Sequence, residues 1–318
     1  MNGTEDRREE RRHPIQVAAN RSGLSPDVLR AWEKRYAAVE PDRTGGGQRR
    51  YSDEDIERLR ILREVTEAGR RIGDVAERST GELARMVRED RLAEARLEGV
   101  ERGMAERAAP HLEQALEAVD DLDPSGLREG LDRAQVLLGP EDLLDGLVAG
   151  LMHRVGERWQ EGRLGPGEEH VASGVVRRFL MDLLVRLWSA PEAPRMVIAA
   201  PAGERHEIGA LLAACTAVVE GWDVLYAGPD LPAGEISELV RRRGAALAGV
   251  SIVHPVDRGA VVREVRRLAE DLPRGCGLVA GGAGAAELAE ELTAAGARVT
   301  VDLAGLRRVL GEVRGSTG

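Results

Sequence analysis

The chain has 318 residues, enough for two or three domains of ordinary size. Hydrophobic residues make up 42% of it, as in a globular protein, and no apolar run approaches the roughly 20 residues of a membrane span. The net charge of −10 argues against nucleic acid as a partner. However, basic residues outnumber acidic ones between residues 11 and 63, and the acidic excess lies further along, so a small nucleic-acid module attached to an acidic body is predicted.

The chain carries no sign of export. Residues 1–12 are densely charged and lack an apolar stretch, which excludes a secretory signal peptide and predicts a disordered tail. Cys215 and Cys276 lie in apolar surroundings without metal-ligand spacing. A reduced, cytoplasmic protein is the expectation.

Residues 13–85 read as a basic domain of short helices. A helix over 15–21, a tight turn at 22–24 and a second helix over 26–36 are predicted, with Ser25 as N-cap and Pro26 in the first turn. A basic, glycine-rich turn over 43–51 follows. Ser52 then caps a further helix that begins at Asp53.

The run Arg30-Ala31-Trp32-Glu33-Lys34-Arg35-Tyr36, followed by Pro41, Arg43-Thr44, Gly47, Arg49 and Tyr51-Ser52, resembles the signature of the MerR-type winged helix-turn-helix family. The resemblance implies an operator-DNA partner. It makes Arg30 and Arg35 the groove or backbone contacts, and Arg43, Arg49 and Arg50 the wing contacts to phosphates. Trp32 and Tyr51 are expected to pack the small core. The alternative is that these arginines form an ordinary solvated surface.

Residues 86–190 have an almost continuous helical pattern, which predicts a central four-helix bundle. Asp123 is an N-cap before Pro124, and Gly139-Pro140 closes one helix and opens the next. Longer helices over 141–161 and 168–188 are joined by the short turn 162–167, so they are expected to be antiparallel neighbours. Pro191 and Pro194 mark the linker that follows.

Residues 195–318 alternate short apolar runs with helix-length segments, which is typical of a parallel sheet covered by helices on both faces. The predicted strands are 196–200, 224–227, 247–253, 277–280 and 299–301. Five such units predict a flavodoxin-like (Rossmann-type) α/β domain with strand order 2-1-3-4-5. Ligands bind to this fold at the carboxyl ends of strands 1, 3 and 4. The fold class is therefore multidomain, α plus α/β.

Candidate binding residues follow those three strands. They are Glu204, His206 and Gly209 after strand 1, Ser251 and Val253 at the end of strand 3, and Gly281 and Gly282 at the end of strand 4. The next helix is expected to start near His206. A neutral imidazole is a good nitrogen ligand for a transition metal. A lone histidine here would more often be a surface or helix-start residue; the serine and glycines at the adjacent strand ends favour a ligand.

This pattern, Glu204-x-His206-x-x-Gly209, Ser251-x-Val253 and Gly281-Gly282, resembles the cobalamin-binding domain of methionine synthase and the cobalamin mutases. The resemblance implies that His206 is the lower axial ligand to cobalt, in place of dimethylbenzimidazole. The nucleotide tail would enter the slot lined by the serine and glycines. Glu204 stands where the family usually has an aspartate that accepts a hydrogen bond from the histidine.

A third pattern lies in the bundle, where Trp159 is near the end of one helix and Glu169-His170 is in the first turn of the next. Because the turn brings these ends together, the three side chains are expected to share a face. The Trp-x9-Glu-His spacing, with the run Tyr226-Ala227-Gly228-Pro229-Asp230-Leu231-Pro232, resembles the CarH/LitR light-dependent repressors. The resemblance implies that Trp159 covers the upper face of adenosylcobalamin and Glu169 holds the 5′-deoxyadenosyl group. Alternatively, Trp159 is a core residue, Glu169 a favourable first-turn acid and His170 incidental.

Gln160 departs from that family, which often has a histidine directly after the tryptophan to bind cobalt once light has removed the adenosyl group. A glutamine amide is a poor cobalt ligand, so His170, His153 or water are the alternatives. The resemblance implies a repressor, not an enzyme, that binds DNA in the dark as a homo-oligomer, a tetramer by likeness. A light-insensitive cobalamin sensor is the second reading. An enzyme subunit for mutase or methyl-transfer chemistry is the third, and no substrate barrel is visible for it.

Overall fold

The computed structural model describes residues 13–187, 190, 192–255 and 257–316. The chain forms two compact units, Met1–Glu101 and Arg102–Gly318. The predicted tail 1–12, the end of the helix predicted to reach residue 188, and Pro191 of the predicted linker lie outside the described residues. Among the helices described, none is long and apolar enough to cross a membrane.

The first unit begins with a helix-turn-helix and a short antiparallel sheet. Its sheet has the strand order β1-β3-β2. The elements are β1 (His13–Pro14), α1 (Ile15–Ser22), α2 (Pro26–Tyr36), β2 (Asp42–Arg43), β3 (Arg49–Tyr51), α3 (Asp53–Glu67) and α4 (Ile72–Val75). Tyr51 is fully buried in the small core with Leu29 and Leu59, and Trp32 packs against them, as predicted.

Local signals in the sequence fix these elements. Ser25 caps α2 by accepting a 3.2 Å hydrogen bond from the amide of Val28. Ser52 and Asp55 form a reciprocal capping box at the start of α3. The basic turn is a hairpin between β2 and β3, closed by a hydrogen bond from the Gly47 amide to the Thr44 carbonyl. The predicted helix bounds in this region are thereby confirmed within a residue.

The second unit opens with the helical bundle. Its segments are the second half of α5 (Thr80–Asp120), α6 (Pro124–Leu137), a π-helical segment (Asp142–Ala149) that continues into α7 (Gly150–Gln160), and α8 (Pro166–Arg186). Asp123 caps α6 through the amide of Gly126, as predicted. Leu131, Leu147, Leu151 and Phe179 are buried in its core. The π-helical segment was not predicted. The proposed boundary near residue 85 falls inside α5.

The α/β part has five parallel strands in the order β5-β4-β6-β7-β8, which confirms the predicted 2-1-3-4-5 topology. In the register, Val197 of β4 lies opposite Leu225 of β5 on one side and Ala248 of β6 on the other. The strands are β4 (Arg195–Ala199), β5 (Asp223–Tyr226), β6 (Leu247–Ser251), β7 (Gly277–Gly281) and β8 (Arg298–Thr300).

Helices cover both faces of this sheet. They are α9 (Ile208–Val219), α10 (Ala233–Arg243), α11 (Arg258–Asp271), α12 (Ala283–Glu287), α13 (Ala289–Ala294) and α14 (Leu303–Ser316). Helices α9 and α14 pack on one face of the sheet, and α10, α11 and α13 pack on the other. The opposite side of α9, with Leu211 and Cys215, shares a core with Leu180 of the bundle. The bundle therefore lies on α9, next to the sheet edge where His206 was predicted.

Candidate functional site

Glu204 is the centre of a buried network at the carboxyl edge of the sheet, although it is a charged residue with 0% of its surface exposed. One carboxylate oxygen accepts hydrogen bonds from the amide of His206, at 2.9 Å, and from its Nδ1, at 2.6 Å. The other accepts from the amides of Val253 and His254, both at 2.8 Å. Glu204 therefore ties the loop after β4 to the loop after β6.

These contacts shift the pKa of both groups. Burial alone would raise the pKa of Glu204, but the hydrogen bonds from His206, Val253 and His254 outweigh it and lower this pKa to about 2. The hydrogen bond to Glu204 raises the pKa of His206, and the charges of Glu204 and Glu169 act in the same direction. The ionised carboxylate accepts from Nδ1, which leaves Nε2 of the neutral ring as the possible metal-binding nitrogen.

The same contact corrects the predicted helix start. Helix α9 begins at Ile208, two residues after His206. The Glu204 carboxylate accepts a hydrogen bond from the amide of His206. This bond competes with the backbone geometry of a first helical turn, so the helix begins later. His206 therefore sits in the loop, with 58% of its side chain exposed.

The predicted glycines lie where the backbone elements approach closely. A Cβ on Gly209 would lie 2.6 Å from Oγ of Ser251, so only glycine lets α9 start against the end of β6. Gly281 ends β7. Gly282 has a φ of +104°, and a Cβ on it would lie 2.4 Å from the carbonyl oxygen of Ile252. The structure thus brings Glu204, His206, Gly209, Ser251, Val253, Gly281 and Gly282 to one edge.

The bundle end is more open. Trp159 lies in the last turn of α7 with 47% of its surface exposed. Glu169, in the first turn of α8, accepts hydrogen bonds from His170 Nδ1, at 2.9 Å, and from the Ser173 hydroxyl. The His170 side chain is 83% exposed. Further along the same helix, Arg177 donates a hydrogen bond to Glu207, so α8 contacts the loop that carries His206.

Several residues near the site were not predicted. The ring of His254 stands edge-on to that of His206, with 6.1 Å between centroids. Glu207, the residue after His206, accepts hydrogen bonds from Arg177 of α8 and Tyr226 of β5. These contacts join residues that are distant in the sequence, so no local sequence pattern predicts them.

In the first unit, the predicted DNA contacts divide into two groups. Arg30, Arg35 and Arg43 are exposed, and Arg30 also pairs with Asp27 at 2.7 Å. Arg49 instead donates to Glu33 at 2.7 Å, and Tyr51 donates to the same carboxylate. Arg50 is partly buried in the hairpin strand β3. Arg49 thus has a structural partner inside the domain.

Comparison with known families agrees with this organisation. The model of the MerR HTH family regulatory proteins matches residues 14–82, and that of the B12 binding domain matches residues 89–181. The second match covers the bundle, the part of the chain that carries Trp159 and Glu169. Together the fold and the family models define a cobalamin-binding transcriptional regulator.

Two curated relatives align along nearly the whole chain. The HTH-type transcriptional repressor CarH of Myxococcus xanthus is 32% identical over 287 residues, which are 87% of this chain and 90% of the relative. The HTH-type transcriptional repressor CarA of the same organism is 28% identical over 94% of this chain and 96% of the relative. The chain belongs to the CarH family of transcriptional repressors.

Among solved structures, the monomethylamine corrinoid protein of Methanosarcina barkeri superposes with a TM-score of 0.53 at 18% identity. The superposition covers 64% of this chain and 99% of the corrinoid protein. The likeness supports the shared fold of bundle and α/β part.

Proposed function

We propose that the chain is a DNA-binding repressor controlled by adenosylcobalamin, and that His206 is its lower ligand to cobalt. The observation that carries the proposal is the buried Glu204 carboxylate, which holds His206 by Nδ1 while the ring stays exposed. A metal-bound histidine almost always has such a partner on its other nitrogen. The longer Glu204 thus supplies the contact that the family usually obtains from an aspartate.

The surrounding residues fit the cofactor. Imidazole is a suitable nitrogen donor for a first-row transition metal. Ser251, Gly281 and Gly282 lie at the ends of the neighbouring strands, and Gly209 lies in the first turn of α9. Glycine at these positions lets the neighbouring parts of the protein pack closely, and the nucleotide tail of cobalamin would enter beside this edge.

The bundle end would face the upper side of the cofactor. Trp159 offers an exposed aromatic surface for the adenosyl group, and Glu169 offers a carboxylate that can accept from ribose hydroxyls. His170 is held beside Glu169. When bound, adenosylcobalamin supplies a light-sensitive cobalt–carbon bond whose cleavage frees the adenosyl group. Trp159 and Glu169 would hold that group only while the bond is intact.

Residues 13–85 would form the DNA-binding domain, residues 86–190 the cap and residues 195–318 the cobalamin domain. Arg30, Arg35, Arg43 and Arg50 would contact operator DNA, and Arg49 would shape the wing through Glu33. In the dark, the cofactor would stabilise a homo-oligomer that binds DNA, and light would shift the population away from it. The tetrameric state is part of this proposal.

Gln160 supports a second candidate, a cobalamin sensor that does not respond to light. Glutamine follows Trp159 where the family often has a histidine that captures cobalt after photolysis. His153 is exposed and pairs with Glu157 at 3.2 Å, and His170 pairs with Glu169. Both histidines would have to leave a carboxylate partner to bind cobalt.

One experiment separates the two candidates. The protein is loaded with adenosylcobalamin or methylcobalamin in the dark, and absorption, size and operator gel shift are recorded before and after green light. We expect a spectral change, a smaller species and DNA release for the adenosyl form. DNA binding that is unchanged by light, with cobalamin bound, would support the light-insensitive sensor. Failure to bind either cobalamin would overturn the proposed function.

The DNA interface has its own test. Replacing Arg43 with alanine should weaken operator binding. It should also reduce the slope of log K against log salt concentration by about one, because each phosphate contact releases counterions. Arg267→Ala, which removes an exposed arginine from α11, is the charge-matched control. Equal losses in the two variants would mean that net charge, and not the wing, determines affinity.

A further inference from the structure

A polar network joins the bundle to the turn that carries His206. Its centre is Glu207, the residue that follows His206. The carboxylate of Glu207 is largely buried. One oxygen accepts a hydrogen bond from Nε of Arg177 at 2.6 Å, and the other accepts from the Tyr226 hydroxyl at 2.5 Å. We call these three residues the Glu207 tie.

The partners of Glu207 lie on elements with separate tasks. Arg177 is in α8, whose first turn carries Glu169 and His170. Tyr226 is the last residue of β5, the edge strand beside β4. The Glu207 tie therefore connects three points: the cap helix, the sheet edge and the loop of the candidate cobalt ligand.

The rest of this contact is mainly apolar. Leu180 of α8 packs with Leu211 and Cys215 of α9. Apolar contacts are not directional, so a core of this kind tolerates small changes in the angle between two helices. Charge-assisted hydrogen bonds require a defined distance and direction. The Glu207 tie, more than the core, can thus fix where the end of α8 stands above His206.

Tyr226 is well suited to this task because it stays a proton donor. Burial raises the pKa of its hydroxyl, and the hydrogen bond to Glu207 raises it further. A second polar connection provides a reference: Arg307 of α14 donates to Asp145 of the π-helical segment at 2.6 Å. This pair also joins the α/β part to the bundle, but through neither α8 nor the His206 loop.

We propose that Glu207 is a positioning residue that sets the separation between the cap and His206, and thereby how strongly the protein discriminates between upper ligands of cobalamin. This inference rests on the proposed function. Removing the hydrogen bonds of the Glu207 tie leaves the shared core of Leu180, Leu211 and Cys215 in place. The two parts should then stay together while the cap loses its fixed position.

The test compares adenosylcobalamin with methylcobalamin in the dark, because the two differ only in the upper ligand. We expect Arg177→Met to lower the ratio of the two affinities about tenfold, the equivalent of one charge-assisted hydrogen bond. Tyr226→Phe should lower it about threefold, since a neutral donor contributes less. Arg177→Lys, which keeps a cation, should restore part of the ratio. Arg307→Met, the matched control, should lower Tm without changing the ratio.

The outcomes are distinct. An unchanged affinity ratio in folded Arg177→Met protein overturns the inference while leaving the proposed function intact. An equal change of the affinity ratio in Arg307→Met also overturns it. A general weakening of the contact between the bundle and the α/β part would then explain the change without Glu207. If the unaltered protein binds neither cobalamin, the proposed function fails first, and the inference fails with it.

Discussion

The sheet edge below the proposed cofactor and the bundle end above it are built on different principles. At the edge, a fully buried Glu204 satisfies four donors and holds His206 in place. At the bundle end, Trp159 is 47% exposed and His170 is 83% exposed. The edge is preorganised by its own contacts, whereas the aromatic and imidazole groups of the cap are largely exposed.

This difference has a physical consequence for substitutions. A buried carboxylate that loses its partners, or a donor that loses the carboxylate, costs free energy because water does not replace the lost hydrogen bond. An exposed side chain can be removed at little cost to the fold. Changes at the edge should therefore affect both binding and stability, and changes at the cap should affect selectivity alone.

The largest effect is expected for His206→Ala. We expect cobalamin affinity to fall by about 100-fold or more, since loss of a residue that merely supports a metal ligand already costs 10–100-fold. The histidine-ligated absorption spectrum should disappear. His254→Ala is the matched control, because its ring lies 6.1 Å from that of His206. A comparable loss in His254→Ala would refute the assignment of His206 as the ligand.

Glu204→Gln should have the next largest effect. The amide oxygen can still accept from the backbone, but the charge that holds the Nδ1 hydrogen of His206 is lost, so affinity should fall about 10- to 100-fold. The free energy of unfolding should also fall, by about 1–3 kcal/mol, measured by chemical denaturation without cofactor. Cobalamin binding as tight as in the unaltered protein would mean that Glu204 supports only the fold.

Trp159→Ala should have the smallest effect and the most selective one. We expect a roughly tenfold loss of adenosylcobalamin affinity, because one aromatic stacking surface is removed, and almost no loss for methylcobalamin. The melting temperature should change little. A large drop in melting temperature, or equal losses for the two cobalamins, would make Trp159 a core residue and remove the contrast between cap and edge.

The parts that the sequence predicted correctly are those with local signals. Strand runs separated by helix-length segments gave the strand order, and Ser25, Ser52 and Asp123 marked helix starts. The position of His206 and Glu204 at the sheet edge was predicted because both follow a strand end at the switch of the topology, and their role in binding stays a prediction. The start of α9 was misplaced by two residues because a side chain, Glu204, competes for the backbone.

The remainder depends on packing between distant segments. The π-helical segment Asp142–Ala149 carries no sequence signal that separates it from an α-helix. The Glu207 tie and the approach of His254 to His206 arise only when the strands and the bundle are assembled. Likewise, Arg49 resembles the other wing arginines in sequence, and its pairing with Glu33 follows from the fold.

Electron paramagnetic resonance tests the central claim most directly. Protein carrying 15N-labelled histidine is loaded with cobalamin and reduced to the Co(II) state. If His206 is the lower ligand, the 14N triplet splitting of the cobalt lines is replaced by a 15N doublet, and His254→Ala protein gives the same doublet. A triplet unaffected by the label would show that dimethylbenzimidazole stays on cobalt, which contradicts the assignment of His206.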